Sequence, residues 1–261
     1  YAPSQENGPW DIGLRQTAKA LSHARGVLSL NPRDLKCIQG LLNPDAHQLL
    51  LKPFLVDAFP ADRSHRERRA KLAKHYGLAV DQPWLIAVAM MRLGDKSRSY
   101  SMLAQSLSLI EDLPWQIILV GDGPARTEIE KAFASVAQQR VCFCGQLDPV
   151  ATADLLTAAD LFTWPAINEA FGMAILEAHR HGLPVVAGYT DGVASLVNDG
   201  QTGLLTRPPE PVVFASAIRK LLEDPDLRRR MALSARDKFL EQHDFDAAAS
   251  RIQQFLLQVR P

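Results

Sequence analysis

The stretch "NEAFGMAILEAHRHGLPVVAG", Asn168 to Gly188, decides the fold, because a loop, a helix and a buried strand follow one another within it. The helical run ends at Gly182-Leu183-Pro184, and the apolar "VVA" that follows reads as a strand with no solvent-facing side. The same segment carries two glutamates eight apart, Glu169 and Glu177, with Phe171-Gly172 just after the first. A helical start at Phe171 places the backbone N–H groups of Phe171, Gly172 and Met173 at the open end of the helix, where they can hold an anion. Continued as helix, eight residues turn through about 800°, leaving the two carboxylates within roughly 80° of each other and about 12 Å apart along the axis. That separation suits the two ends of an extended ligand such as a nucleoside diphosphate sugar. The alternative is that Glu177 faces solvent on an amphipathic helix. Its neighbours Ile175, Leu176 and Ala178 make the helix largely buried, where an idle carboxylate is costly.

Working outward, helical and strand-like segments alternate through most of the 261 residues, which predicts α/β architecture: a parallel sheet covered by helices on both faces. Strands are expected at Trp84 to Met90, Gln116 to Val120, Val141 to Phe143, Leu161 to Thr163, Pro184 to Ala187 and Gly203 to Leu205. Three helices close the chain: Pro211 to Leu222, Asp226 to Gln242 and Phe245 to Val259. Before residue 55 only part of a sheet is readable, with helices at Ile12 to Arg25 and Pro32 to Leu42 and strands at Val27 to Leu30 and Gln48 to Lys52. The intervening "KPFLVDAFPADRSHR" has two prolines and no period, as a linker between domains has.

Composition excludes several classes. Lys plus Arg equals Asp plus Glu at 29 each, so the overall charge gives no sign of a nucleic-acid partner. Apolar runs such as Leu85 to Met91 are far short of the roughly 20 residues a membrane-spanning helix needs. The basic run Arg63 to Lys71 reads as a solvated helix face. Three cysteines fit a reducing compartment, with Cys142 and Cys144 as strand filler lacking the second pair a zinc site requires. The chain begins with Tyr and has no signal-peptide pattern, and the expectation is a piece of a longer protein. Asp224-Pro225-Asp226 and Asp244-Phe245-Asp246 resemble metal motifs but sit where helices begin and read as caps.

Open parallel sheets bind ligands beyond the carboxyl ends of their strands, and the unusual residues lie in those loops. Arg92 and Lys96 follow the first strand of the regular region, Gly121 to Pro124 the second, Gly145 the third, "WPAINEAFG" the fourth and "GYTDG" the fifth. Arg92 and Lys96 can hold a diphosphate, Arg by its fixed fork of donors and Lys as a point charge. Taken alone, they read equally as solvated loop cations. The glycines of "GDGP" let the backbone approach a ligand, although a tight turn needs them anyway.

Taken together, "WPAINEAFGMAILEAHRHGLPVVAG" resembles the E-x7-E signature of the retaining family 4 (group 1) glycosyltransferases of the GT-B fold. "MRLGDKSRSY", "LVGDGPARTEIE", "AADLFTWPA" and "NDGQTGLLTRP" fall in the order that family shows, over about residues 28 to 258. The resemblance implies two Rossmann-like domains. Residues 1–55 would be the C-terminal remnant of the acceptor domain, 56–65 the linker, and 66–261 the donor-binding domain with a C-terminal crossing helix. It also implies roles. Glu169 would contact the donor sugar and Glu177 the ribose. Arg92 and Lys96 would stabilise the leaving diphosphate with the amides of Phe171, Gly172 and Met173, and Gly121, Gly145 and Gly192 would line the donor site. No metal or other cofactor is implied. The partners implied are a nucleotide sugar and a glycan, lipid or small-molecule acceptor, in the cytoplasm, with peripheral contact at the inner membrane face through the rest of the protein left open. This fragment alone is expected to bind donor without transferring sugar. Met91 stands where the family usually has glycine, Arg92 and Lys96 are closer than is common, and Asp191 and Ser195 depart from the family's Gly-Gly-x-x-Glu loop. Two other readings survive: a nucleotide-binding module without catalysis, and an epimerase or phosphorylase on the same scaffold.

Overall fold

The computed structural model describes residues 8–56, 65–207 and 209–260; most of the linker expected over 56–65 lies outside them. Contacts divide the chain into two units, one formed by residues up to Val56 together with those from Glu241 onward, the other by Asp57–Leu240.

The first unit holds α1 (Asp11–His23), β1 (Gly26–Ser29), α2 (Pro32–Ile38) and β2 (His47–Leu50), and it is completed by α11 (Phe245–Gln258). β1 and β2 pair in parallel, Gly26 opposite His47. A parallel pair cannot close through a tight hairpin, and α2 supplies the crossover. Gly26 is required by packing: a Cβ there would lie 2.5 Å from Val259 Cγ1 and 2.8 Å from Phe255 Cζ, so α11 sits directly on the strand. The backbone before the divide is tied to the returning segment by Leu55 N–H donating to His243 O and by His243 Nδ1 at 2.7 Å from Pro53 O. The sequence assigned residues 66–261 to one domain with a crossing helix; the contacts group everything from Glu241 with the first unit.

The second unit contains a six-stranded, wholly parallel sheet. Its strands are β3 (Trp84–Val88), β4 (Gln116–Val120), β5 (Val141–Gly145), β6 (Leu161–Trp164), β7 (Val185–Gly188) and β8 (Gly203–Thr206), in the order β5-β4-β3-β6-β7-β8. The helices are α3 (His65–Tyr76), α4 (Asp95–Ser108), α5 (Arg126–Ala132), α6 (Pro149–Ala158), α7 (Met173–Arg180), α8 (Asp191–Leu196), α9 (Pro211–Glu223) and α10 (Pro225–Gln242), the last two residues of which are grouped with the first unit. They fall into two groups: α4 packs against α5 and α9, while α6 packs against α3 and α7. "QIILV" and "LFTW" are buried along their whole length, which explains why these strands read as continuous apolar runs rather than alternating ones. One cluster of polar groups at the start of the sheet is fully paired. Asp160 Oδ2 accepts from Trp84 N–H at 2.8 Å and from Arg69 Nη1 at 2.9 Å, and the Arg69 guanidinium lies 4.1 Å from the Trp84 ring centre.

The two aspartate strings behave as caps: Asp224 accepts from Leu227 N–H at 2.8 Å and Asp244 from Asp246 N–H at 3.0 Å. From β3 the chain builds towards β5 on one side, then returns to place β6, β7 and β8 on the other. The order therefore reverses between β3 and β6, and in open α/β sheets the crevice that takes a ligand lies beyond the carboxyl ends of such a pair. Among the described residues no helix is long and apolar enough to cross a membrane.

Candidate active site

β6 ends at Trp164, and the loop that follows leads to α7 through three residues with left-handed backbone: Ala166 (φ 55°), Asn168 (φ 51°) and Gly172 (φ 74°). Two of these are not glycine, so tertiary contacts must hold them there. Those contacts cross the crevice to the start of α4. Ile167 N–H donates to Ser99 Oγ at 3.1 Å, and Asn168 Nδ2 donates to Asp95 Oδ2 at 2.9 Å. The hydrogen bonds from Asn168 and then Arg98 hold the Asp95 carboxyl below the usual carboxylate range. On the other side, Thr190 Oγ1 donates to Glu169 O at 2.8 Å. A Cβ on Gly188 would lie 1.8 Å from Pro165 O, and one on Gly192 would lie 1.6 Å from Ala170 O. The loop is thus wedged between α4 and the β7–α8 turn, closer than any side chain at Gly188 or Gly192 permits.

Glu169 is the centre of this arrangement. Its Oε2 accepts from the Lys96 ammonium and from Trp164 Nε1, the latter at 3.2 Å, and the ammonium lies 5.2 Å from the centre of the indole ring. Both partners of the ion pair are largely covered, with side-chain exposures of 21% for Lys96 and 16% for Glu169. Two residues expected to meet the same ligand are therefore in contact with each other.

The expected helical start at Phe171 is corrected. α7 begins at Met173, with Gly172 as its N-cap, because the left-handed turn at Gly172 interrupts helical geometry. Glu169 lies outside the helix, so the stagger of about 80° and 12 Å projected for a continuous helix does not describe Glu169 and Glu177. The open amides survive this correction. Ile175 N–H bonds back to Gly172 O at 2.8 Å, while among the described residues the N–H groups of Phe171, Gly172, Met173 and Ala174 have no acceptor. Glu177 is half-buried within α7, and burial holds its carboxyl above the usual range, partly offset by Arg180.

Lys96 sits in the first turn of α4, not free in the loop after β3. Arg92 is exposed in that loop and, among the described residues, its side chain makes no hydrogen bond or ion pair, so the structure does not bring it onto the Lys96–Glu169 pair. Met91 is fully buried; its N–H donates to Asp122 O and its carbonyl accepts from Ala125 N–H, so its side chain lies in the core rather than obstructing the rim. Gly121 (φ 139°) donates to Gly145 O at 2.8 Å, and a Cβ on it would lie 2.0 Å from Ala89 O, which joins the ends of β3, β4 and β5. Gly121 and Gly145 thus belong to the β4–β5 side of the rim, and Gly192 to the β7 side. In Ser195, Oγ donates to Gly192 O at 2.6 Å, so the serine that stands for the family's glutamate is turned onto its own helix. The sequence did not single out Trp164, Asp95, Asn168, Ser99 or Thr190. Only the tryptophan at a strand end carried any local signal.

An open parallel sheet with its order reversal between β3 and β6, and with cationic, carboxylate and open-amide groups at that reversal, defines an α/β protein of the GT-B glycosyltransferase fold. The sequence profile of the family "Glycosyl transferases group 1" matches residues 67–238, and the chain belongs to that family. It is 30% identical over 234 residues to alpha-D-kanosaminyltransferase of Streptomyces kanamyceticus, covering 89% of this chain and 60% of that protein. It is 35% identical over 127 residues to the D-inositol 3-phosphate glycosyltransferase of Nocardia farcinica, covering 46% of this chain and 28% of that protein. The fold is also that of Anabaena HepE solved with UDP (TM-score 0.79, 21% identity, 94% of this chain and 67% of that one). Sucrose-phosphate synthase from Thermosynechococcus elongatus superimposes over 99% of this chain and 64% of its own, with TM-score 0.78 and 23% identity. The chain spans about 60% of the kanosaminyltransferase it matches.

Proposed function

We propose that this chain is mainly the donor-binding part of a retaining glycosyltransferase that moves a sugar from a nucleoside diphosphate sugar to an acceptor hydroxyl. The observation that carries the proposal is the Lys96–Glu169 pair immediately ahead of the open amides of Phe171 to Ala174, at the point where the strand order reverses. The diphosphate lies against those amides, Lys96 and Arg92, where dipole and charge oppose the negative charge that grows as the bond from sugar C1 to phosphate oxygen breaks. Glu169 accepts hydrogen bonds from the sugar hydroxyls, and Glu177 from the ribose, where the new partners offset the cost of its burial. Gly121, Gly145 and Gly192 let the backbone close around the ligand. The acceptor oxygen bonds to C1 on the face the diphosphate leaves, and its proton passes to the departing phosphate oxygen; the proposal needs no metal ion. HepE was solved with UDP, with UDP and glucose and with UDP-glucose, which supports a donor of this chemical class. Free Cys37, Cys142 and Cys144 accord with action in the cytoplasm.

The test is turnover by the full-length protein, offered UDP-, GDP- and ADP-sugars together with glycan, lipid and polyol acceptors. Transfer with the donor's anomeric configuration kept, read from the proton coupling constants of the product, is expected. Inversion would overturn retention. Donor epimerised without acceptor consumption, or turnover dependent on inorganic phosphate, would point to the other chemistries on this scaffold. Binding without turnover would favour a non-catalytic module.

A further inference from the structure

We propose that Trp164 is a positioning residue for the sugar-binding carboxylate, an inference that rests on the donor-site reading above. The indole is fixed before any ligand arrives. Its residue is 3% exposed, its ring meets Tyr100 edge-on with centres 5.0 Å apart, and Tyr100 is itself anchored by its hydroxyl donating to Ala89 O at 2.7 Å. From this fixed ring, Nε1–H points to Glu169 Oε2 at 3.2 Å. Lys96 shares that oxygen and lies over the same ring. Oε2 thus takes both donors, while Oε1 has no hydrogen bond among the described residues and is the oxygen left for a ligand.

The two donors differ in what a diphosphate does to them. Lys96 is a mobile point charge, and a phosphate group competes for it directly. Trp164 is neutral, rigid and cannot leave. When Lys96 turns to the diphosphate, the indole N–H is the donor that remains on Oε2, so the carboxylate keeps its rotamer and its negative charge while Oε1 meets the sugar hydroxyls. A second cation in the indole's place would hold the carboxylate but neutralise it; a phenylalanine would fill the space and hold nothing. Trp164 therefore acts on the sugar through Glu169, without touching the reacting atoms.

The test uses Trp164→Phe, which keeps an aromatic ring against Tyr100 and under Lys96. Calorimetric titrations with UDP and UDP-glucose, or with the matching pair for whichever nucleotide the wild-type chain binds, separate the two ends of the donor. Affinity for the bare diphosphate is expected to stay within about twofold, whereas the gain from the attached sugar and kcat of the full-length protein fall about tenfold, as for loss of a hydrogen bond to a charged group. In a Glu169→Ala background the same substitution is expected to change neither quantity. Independently of ligand, one indole N–H resonance of the wild-type chain should disappear in Trp164→Phe and shift in Glu169→Gln. Equal weakening of diphosphate and diphosphate-sugar, an undiminished effect in the Glu169→Ala background, or an indole resonance indifferent to Glu169→Gln would each overturn the assignment. If the wild-type chain binds none of the nucleotides, the donor-site reading itself fails and the role of Trp164 falls with it.

Discussion

Glu169→Ala is expected to lower sugar transfer by the full-length protein by about 10²–10³-fold while leaving nucleoside diphosphate binding unimpaired. The first half follows from the chemistry assigned to the carboxylate. Hydrogen bonds that strengthen as the sugar becomes electron-poor at C1 act on the transition state, and removing one preorganised group of this kind costs about that factor. The second half follows from the ion pair. Lys96 is held by Glu169, so a diphosphate must separate the pair before Lys96 can turn to phosphate. Truncating Glu169 removes that competitor. Affinity for UDP, or the nucleotide the chain prefers, should therefore stay the same or rise severalfold as kcat collapses. Steady-state kinetics on the full-length protein and titration of the chain measure the two quantities, and parallel loss of both would show that Glu169 serves nucleotide binding instead.

Gly192→Ala is the second substitution with a large expected effect. The added methyl would stand 1.6 Å from the Ala170 carbonyl oxygen and 2.5 Å from its carbon. The obstacle is backbone, so no side-chain rotation relieves it, and either α8 or the loop carrying Glu169 must move. Overpacking of this severity costs about 3 kcal/mol, and each kcal/mol lowers the melting temperature of a domain this size by about 2–4 °C. Donor binding should be lost as well, because the displaced segment leads into the open amides of Phe171 to Ala174. Thermal denaturation and titration of the same preparation check both effects. Gly13, with nothing within 4 Å of its added Cβ, is the control: in the first turn of α1 its replacement by alanine should be neutral or stabilising. An unchanged melting temperature for Gly192→Ala would mean that the loop is not wedged as described.

Much of the sheet was legible from sequence because its central strands are buried on both faces, and "QIILV" or "LFTW" between turn residues has few other places to go. The glutamates and rim glycines stood out because a carboxylate in an apolar segment and a glycine at a strand end are each locally unusual. The site loop was not legible. Nothing in an alanine or an asparagine announces left-handed backbone at Ala166 and Asn168; that conformation is fixed by Ser99 and Asp95, which lie far away in sequence. The misplaced start of α7 has the same origin. The helical pattern runs back without a break to Phe171, and a single left-handed residue, Gly172, interrupts it. The pairing of Lys96 with Glu169, and of both with Trp164, depends on β6 lying beside β3, an adjacency that follows from the order of strands and from no local signal. Likewise, the grouping of α11 with the first strands rests on Gly26, whose missing side chain receives Phe255 and Val259.

The central claim is that the crevice at the β3–β6 reversal is a nucleoside diphosphate sugar site, and calorimetric titration of this chain with UDP, GDP, ADP and their sugar conjugates tests it most directly, with Arg92→Ala measured alongside. Saturable binding of one nucleotide family is predicted, weakened about tenfold by Arg92→Ala, as for loss of a charge-assisted phosphate contact. Absence of binding by all of them, or binding indifferent to Arg92→Ala, would contradict the account.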